Sequence, residues 1–238
     1  MTNWKVFFQK YRLIEIRDAQ DLLYQVAKTV AGKPISPERF NRVVESIISC
    51  LELGKGDCLI DLCCGNGVIT YELSKYVEKI MGIDFSKPYI ENAIRYRQLP
   101  NITYILKDVT ELADTETGQN IKEYNKVLMY EGLAYLTPAG FDKILAYLKS
   151  AGSVEKFFVG GVPDSEKRWK FFNSAKRRLI YLWKCEILGK DFGMGHWWTK
   201  KEITNIGKRY GFVCTYLQQD RSLPTAHYRF DVLMTNAP

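Results

Sequence analysis

Apolar positions along this chain follow two rhythms. Short continuous runs at Cys58 to Leu62, Lys79 to Ile83, Ile102 to Leu106, Lys126 to Tyr130 and Lys156 to Val159 read as strands. The segments between them read as helices or loops, and this alternation predicts a parallel sheet with helices on both faces. Phe212 to Leu217 and Arg229 to Met234, joined by the polar stretch Gln218 to Tyr228, predict a terminal antiparallel pair. The result is an α/β sheet of seven strands with the last reversed. Ahead of the sheet, Asp18 to Thr29 and Pro37 to Leu53 carry helical spacing (Leu22, Val26; Phe40, Val43, Val44, Ile47, Ile48, Leu51), and Gly32, Pro34 and Pro37 break the chain between them. After the fifth strand, Trp169, Phe172, Ala175, Leu179, Leu182, Trp183 and Ile187 predict one helix over about 165–188.

In an open parallel sheet, ligands bind beyond the carboxyl ends of the strands, near the switch in strand order. The first strand runs into Asp61-Leu62-Cys63-Cys64-Gly65-Asn66-Gly67, an acid followed by a tight turn whose glycines let a ligand approach backbone. Asp61 can meet a positive group. After the second strand, Asp84 can accept both hydrogen bonds of a ribose diol, or act as an acid at a helix N-terminus beside Ser86 and Pro88. After the third, Lys107-Asp108-Val109 offers a carboxylate for an adenine amino group and an apolar side chain for its ring. A nicotinamide dinucleotide fold would place a third glycine where Thr70 stands, and no glycine-lined seat for a pyrophosphate is evident.

Taken together, these strand ends resemble the class I S-adenosylmethionine-dependent methyltransferases. Asp61 to Gly67 is similar to their first motif, Gly82-Ile83-Asp84-Phe85-Ser86 to their second, and Lys107-Asp108-Val109 to their adenine-contacting element. Cys63 stands where a third glycine is frequent in the family. The resemblance implies a Rossmann-like seven-stranded sheet and S-adenosyl-L-methionine as cofactor. Asp61, Cys63 and the Gly65-Asn66-Gly67 loop would hold the methionine portion. Asp84 would hold the ribose, Phe85 one adenine face, and Asp108 with Val109 the adenine edge and ring. Tyr130 would border the sulfonium.

Length and composition bound the rest. With 238 residues, 46% of them hydrophobic, the chain supports one full core. We expect a single domain: an N-terminal helical cap (1–53), a cofactor-binding core (54–160), a lid and acceptor insertion (161–200), and a C-terminal helix with the antiparallel pair (201–238). No apolar run approaches the roughly 18 residues a membrane span needs, and the N-terminus lacks a signal peptide's apolar stretch, so a cytoplasmic location is expected. The six cysteines make no paired CxxC pattern, and neither a metal site nor a disulfide framework is indicated. A formal charge of +7 suggests an anionic partner without naming it.

Methyl transfer to a hydroxyl needs alignment and loss of a proton. Glu131, directly after the fourth strand, is a candidate base, or a residue that fixes the acceptor by hydrogen bonding. His196, within Gly193-Met194-Gly195-His196-Trp197-Trp198, falls in the expected lid, where two glycines give mobility and two tryptophans a flat surface. His227 falls at the ligand edge between the sixth and seventh strands, beside Arg221, Tyr228 and Arg229. Asp164 reads as the N-cap of the next helix. That helix carries Lys167, Lys170, Lys176, Arg177, Arg178 and Lys184 against few acids, a solvated face or a cap for a phosphorylated, lipid-linked or nucleic-acid partner.

A second resemblance, through Gly160-Gly161-Val162-Pro163-Asp164, Trp197-Trp198 and Leu223 to Asp231, is to bacterial methyltransferases of polysaccharide and small-molecule pathways. It implies a small polar acceptor, anionic or sugar-linked, methylated on oxygen. RNA methylation is the alternative enzyme reading, although no RNA-binding module and no Asn-Pro-Pro-Tyr-type sequence after the fourth strand accompanies it. A non-catalytic, cofactor-binding partner subunit is the third.

Overall fold

The structure, a computed structural model, describes residues 4–114, 121–188 and 194–237. A two-stranded ribbon, β1 (Thr29–Val30) and β2 (Lys33–Pro34), precedes the sheet. The sheet is built from β3 (Cys58–Leu62), β4 (Lys79–Asp84), β5 (Ile102–Leu106), β6 (Lys126–Tyr130), β7 (Lys156–Pro163), β8 (Phe212–Gln218) and β9 (Arg229–Asn236). Their order is β5-β4-β3-β6-β7-β9-β8, with β9 antiparallel to both neighbours. The expected seven strands and reversed last strand are therefore present. The chain reverses its direction of travel across the sheet between β3 and β6, so the loops after these two adjacent strands flank the crevice where ligands bind.

Both sheet faces are covered, because each run of apolar residues buries alternate side chains on opposite sides. On one face, Phe141, Ile144 and Leu145 of α6 (Pro138–Ala151) and Ile203 and Ile206 of α9 (Lys200–Arg209) pack on Val127, Met129, Phe157 and Val232. On the other, Val43, Val44, Ile47 and Leu51 of α3 (Pro37–Leu51) and Val68, Ile69 and Leu73 of α4 (Val68–Leu73) pack on Leu59, Ile80, Leu128 and Phe158. Local chemistry sets the helix ends. Ser36 and Thr137 cap α3 and α6, and Thr199 with Glu202 forms a reciprocal capping box on α9.

Three expectations change. The helix expected over Asp18 to Thr29 is only Ala19–Gln25 (α2), capped by Asp18. Ala27 turns left-handed (φ 58°), the Lys28 N–H donates to the Leu23 carbonyl, and Thr29 enters the ribbon. The single helix expected over 165–188 is broken: α7 (Arg168–Phe171) ends at Phe172, whose ψ of 68° is non-helical, and Ser174 caps a new helix, α8 (Ala175–Leu182). Phe172 is completely buried, and seating it in an aromatic cluster with Tyr181, Trp197 and Tyr228 outweighs helix continuity. Finally, β7 runs on to Pro163 through an irregularity between Val159 and Val162, where Gly161 adopts φ 72°.

Candidate active site

A cavity of about 470 Å³ opens at the carboxyl ends of β3, β4 and β6. Asp61, Cys63, Gly65, Asp84, Phe85, Asp108, Val109, Tyr130 and Glu131, nine residues singled out from the sequence, line it.

The first loop is shaped by its backbone. Cys63 holds φ 61°, a left-handed conformation that costs a non-glycine residue about 1–3 kcal/mol. This explains why glycine is frequent at that place in the family the sequence resembles. Gly65 (φ 58°) leaves the cavity wall open; a Cβ there would sit 3.0 Å from Val26 Cγ1. Asp61 is buried, and its Oδ2 accepts a 2.6 Å hydrogen bond from Thr70 Oγ1. Burial outweighs that bond and pushes the carboxyl up to about 7. Asp84 accepts one bond on each oxygen, from the Ser86 N–H (2.8 Å) and the Gly65 N–H (2.9 Å), and burial lifts it to about 6 despite both.

Two residues expected at the cofactor, Asn66 and Gly67, do not line the cavity. Asn66 is wholly buried and donates through Nδ2 to the Leu22 carbonyl (2.9 Å) and Gln25 Oε1 (2.8 Å), tying the loop to α2. Gly67 (φ 75°) caps α4, where a Cβ would overlap the ring of Tyr104.

Opposite the acids stands a charged cluster. Glu131, itself left-handed (φ 61°), is gripped by Lys28 through Oε2 and by Arg229 through Oε1. Burial opposes its ionisation, but the two cations outweigh burial and hold the carboxyl below its ordinary value. Lys28 also lies 4.3 Å from the centre of the Tyr130 ring. The glycine pair after Val159 makes room for this arrangement. A Cβ on Gly160 would press 2.5 Å from Tyr130, and one on Gly161 2.5 Å from Glu131 Cγ. Thr225, Tyr228 and Arg229 close that end of the cavity.

The roof comes from the N-terminal segment rather than from the expected insertion. Trp4, Phe8 and Tyr11 line the cavity from above, with the Trp4 ring tilted against Tyr135 at 4.7 Å and the Phe8 ring edge-on to it at 4.9 Å. Lys5 reaches Asp108 at 2.5 Å, which helps hold that carboxyl below its ordinary value against the cost of burial.

Neither histidine lines the cavity. The His196 main-chain N–H donates to the Ala134 carbonyl, and its Nε2 lies 3.2 Å from Glu202 Oε1, on the α9 capping box. His227 is exposed and stacks edge-on against Tyr228, which takes the cavity position in its place. Trp197 and Trp198 form no open platform. Both are buried, and Trp198 Nε1 donates to the Leu133 carbonyl at 3.0 Å. Gly193, the first glycine of that motif, lies outside the described residues. Asp164 is an N-cap, accepting from the Glu166 N–H.

The donor set fits an adenosyl sulfonium. Asp61 offers negative charge, Asp84 retains lone pairs on both oxygens for a diol, and Phe85 and Val109 offer flat apolar contact beside Asp108. Residues 59–152 match a family model described as a methyltransferase domain. Among curated proteins, a tRNA/tmRNA (uracil-C(5))-methyltransferase of Campylobacter lari is 34% identical over 89 residues, covering 36% of this chain and 25% of that protein. A 23S rRNA (uracil(1939)-C(5))-methyltransferase of Haemophilus influenzae is 30% identical over 92 residues, 37% of this chain and 20% of that one. The chain thus spans a fifth to a quarter of these relatives. Among solved structures, magnesium protoporphyrin IX methyltransferase of Synechocystis PCC 6803 superposes with a TM-score of 0.61 at 14% identity, covering 98% of each chain. A methyltransferase described as putative from Listeria monocytogenes gives 0.60 at 18% identity, covering 83% of this chain and 99% of that one. Residues 59–152 therefore carry a methyltransferase domain, on the fold that S-adenosylmethionine-dependent methyltransferases share.

Proposed function

We propose that the protein methylates an oxygen of a small polar acceptor, a sugar or related metabolite, bound between Glu131 and Tyr228. The observation that carries this reading is one continuous cavity that joins the Asp84–Asp108 end to the Lys28–Glu131–Arg229 cluster. The cofactor supplies an electrophilic methyl group; the protein's own task is to place a lone pair in line with it and to keep water out. Glu131 stays ionised between its two cations, so it is a weak proton acceptor and a strong hydrogen-bond acceptor. Each of its oxygens carries one ion-pair bond and keeps a lone pair that can orient an acceptor hydroxyl. Tyr228 and Thr225 add hydroxyl groups at the same end.

The curated relatives favour a second reading, RNA methylation on a ring carbon. Attack by an unactivated ring carbon calls first for a nucleophile such as a thiolate. The thiols on this cavity, Cys63 (half-buried) and Cys64 (buried), are held away from the thiolate form, because removal from water and the nearby Asp84 and Asp61 carboxyls push both well up. Chemistry at this site therefore favours an acceptor that already bears a lone pair.

Titration calorimetry with S-adenosylmethionine, followed by a methyl-release assay over sugars, sugar nucleotides and RNA, tests the proposal. Wild-type protein should bind the cofactor and turn over a hydroxylated small molecule, whereas Glu131→Gln should bind cofactor and lose turnover at least 100-fold. Turnover of RNA alone, or an unimpaired Glu131→Gln, would overturn it.

A further inference from the structure

The insertion after β7 presents an apolar surface that no other described residue covers. Leu179 (67% exposed), Trp183 (55%) and Ile187 (72%) are the most solvated large apolar side chains of this region, with Leu182 and Leu188 beside them. Leu179 and Leu182 of α8 and Trp183, which follows it with helical backbone, fall at i, i+3 and i+4 and share one helix face, while buried Tyr181 points the other way into the cluster of Phe172, Trp197 and Tyr228. The helix is thus pinned from below, and its outer stripe is displayed rather than left over from poor packing. Counting about 100° per residue, Lys176 and Arg178 flank the stripe on its two sides. From Ala175 to Leu188 there are four basic residues (Lys176, Arg177, Arg178, Lys184) against one acid, Glu186.

An apolar stripe bordered by cations is the pattern of a helix lying in the plane of a membrane interface, where the side chains enter the acyl boundary and the cations meet anionic headgroups. We propose that the Ala175–Leu188 surface docks on an anionic lipid bilayer. A second copy of the chain would bring two cationic faces together, and a nucleic acid would satisfy the cations while leaving leucine, isoleucine and tryptophan in water. A bilayer satisfies both. Tyr181 of the same helix packs in one cluster with Tyr228, which also lines the acceptor end of the cavity. Among the described residues no helix is long and apolar enough to span a bilayer, so the attachment is a surface one.

Sedimentation of the full chain with phosphatidylglycerol or phosphatidylcholine vesicles, with no methyl donor or acceptor present, tests this apart from the enzymatic reading. The expected result is binding to phosphatidylglycerol at least tenfold tighter than to phosphatidylcholine. A Leu179→Ser/Ile187→Ser variant should weaken it at least tenfold, and so should Lys176→Ser/Lys184→Ser. Thermal melts of these surface variants should match wild type, showing that the loss is not unfolding. No sedimentation with phosphatidylglycerol, equal binding to both lipids, or either double variant binding like wild type would overturn the proposal. Polyuridylic acid binding the same surface while vesicles do not would assign it to RNA instead.

Discussion

Thr70 Oγ1 donates a 2.6 Å hydrogen bond to Asp61 Oδ2 at the floor of the cavity, and that hydroxyl is the side-chain donor that meets this buried carboxylate. The position that argued against a dinucleotide fold thus has a positive role: it supports the acid expected to face the cofactor. Removing the hydroxyl while keeping the shape, Thr70→Val, strips a buried charge of its partner. A loss of about 1–3 kcal/mol is expected in chemical denaturation. Loss below about 0.5 kcal/mol would mean the bond contributes little.

The same pair makes stability depend on pH. Asp61 titrates near 7 in the fold against an ordinary value of 3.8. An acid whose folded pKa is raised gives stability that is complete below its unfolded value and is lost as pH climbs through its folded one. The unliganded protein should therefore lose stability through Asp61 between about pH 4 and pH 7 as pH rises. Asp84 and Asp231, each raised to about 6, act in the same direction. Asp61→Asn removes one contribution and leaves the other two. Its melting temperature should fall less steeply than wild type between pH 5 and pH 8, and parallel profiles would refute the assignment.

Asp84 connects the loop to the ligand. Besides facing the cavity it fixes the Gly65 N–H, so Asp84→Ala removes a ribose partner and loosens the turn at once. Hydrogen bonds to a charged group contribute about 1.5–3 kcal/mol, so calorimetry should show S-adenosylmethionine affinity lowered roughly 10- to 150-fold. Unchanged affinity would place the ribose elsewhere.

Much of this was legible in the sequence. Four buried strands, the half-exposed edge strand β5 and the acids that follow three of these five announce themselves locally, because burial writes apolar runs and a strand end is fixed by the residue after the run. The missing parts are long-range. Lys28, Glu131 and Arg229 look like unrelated charges in three distant segments, and only the β3/β6 crevice brings them together. Trp4, Phe8 and Tyr11 show helical spacing, but nothing in it says which surface they cover. In sequence the glycines around His196 suggest mobility, whereas Gly195 serves a fixed left-handed turn and the tryptophans serve the core.

That aromatic roof has a measurable consequence. Helix α1 (Trp4–Phe8) buries no residue of its own, yet Trp4 packs at a tilt against Tyr135 over the cavity. Trp4→Ala removes a half-buried ring from a terminal helix, so the melting temperature of the unliganded protein should fall by only a few degrees. Cofactor affinity should fall roughly 2- to 12-fold, matching the 0.5–1.5 kcal/mol of an aromatic pair. If affinity holds, the roof does not close on the ligand.

Gly195 and its neighbour His196 should behave in opposite ways. Gly195 sits at φ 71°, and a Cβ there would overlap the Ala134 carbonyl oxygen, the same oxygen that accepts the His196 main-chain N–H. Gly195→Ala must therefore adopt a disfavoured backbone, at about 1–3 kcal/mol, and also push apart the contact that seats Trp198 beneath Leu133. A melting temperature lower by at least several degrees is expected. The His196 side chain is 37% exposed, meeting Glu202 at the edge of the capping box and Trp198 edge-on, so His196→Ala should change stability by less than about 1 kcal/mol. It should also leave methyl transfer within about twofold of wild type, because the ring does not reach the cavity. Loss of turnover in His196→Ala at full stability would restore the imidazole to the reaction. A neutral Gly195→Ala would show that the turn is soft.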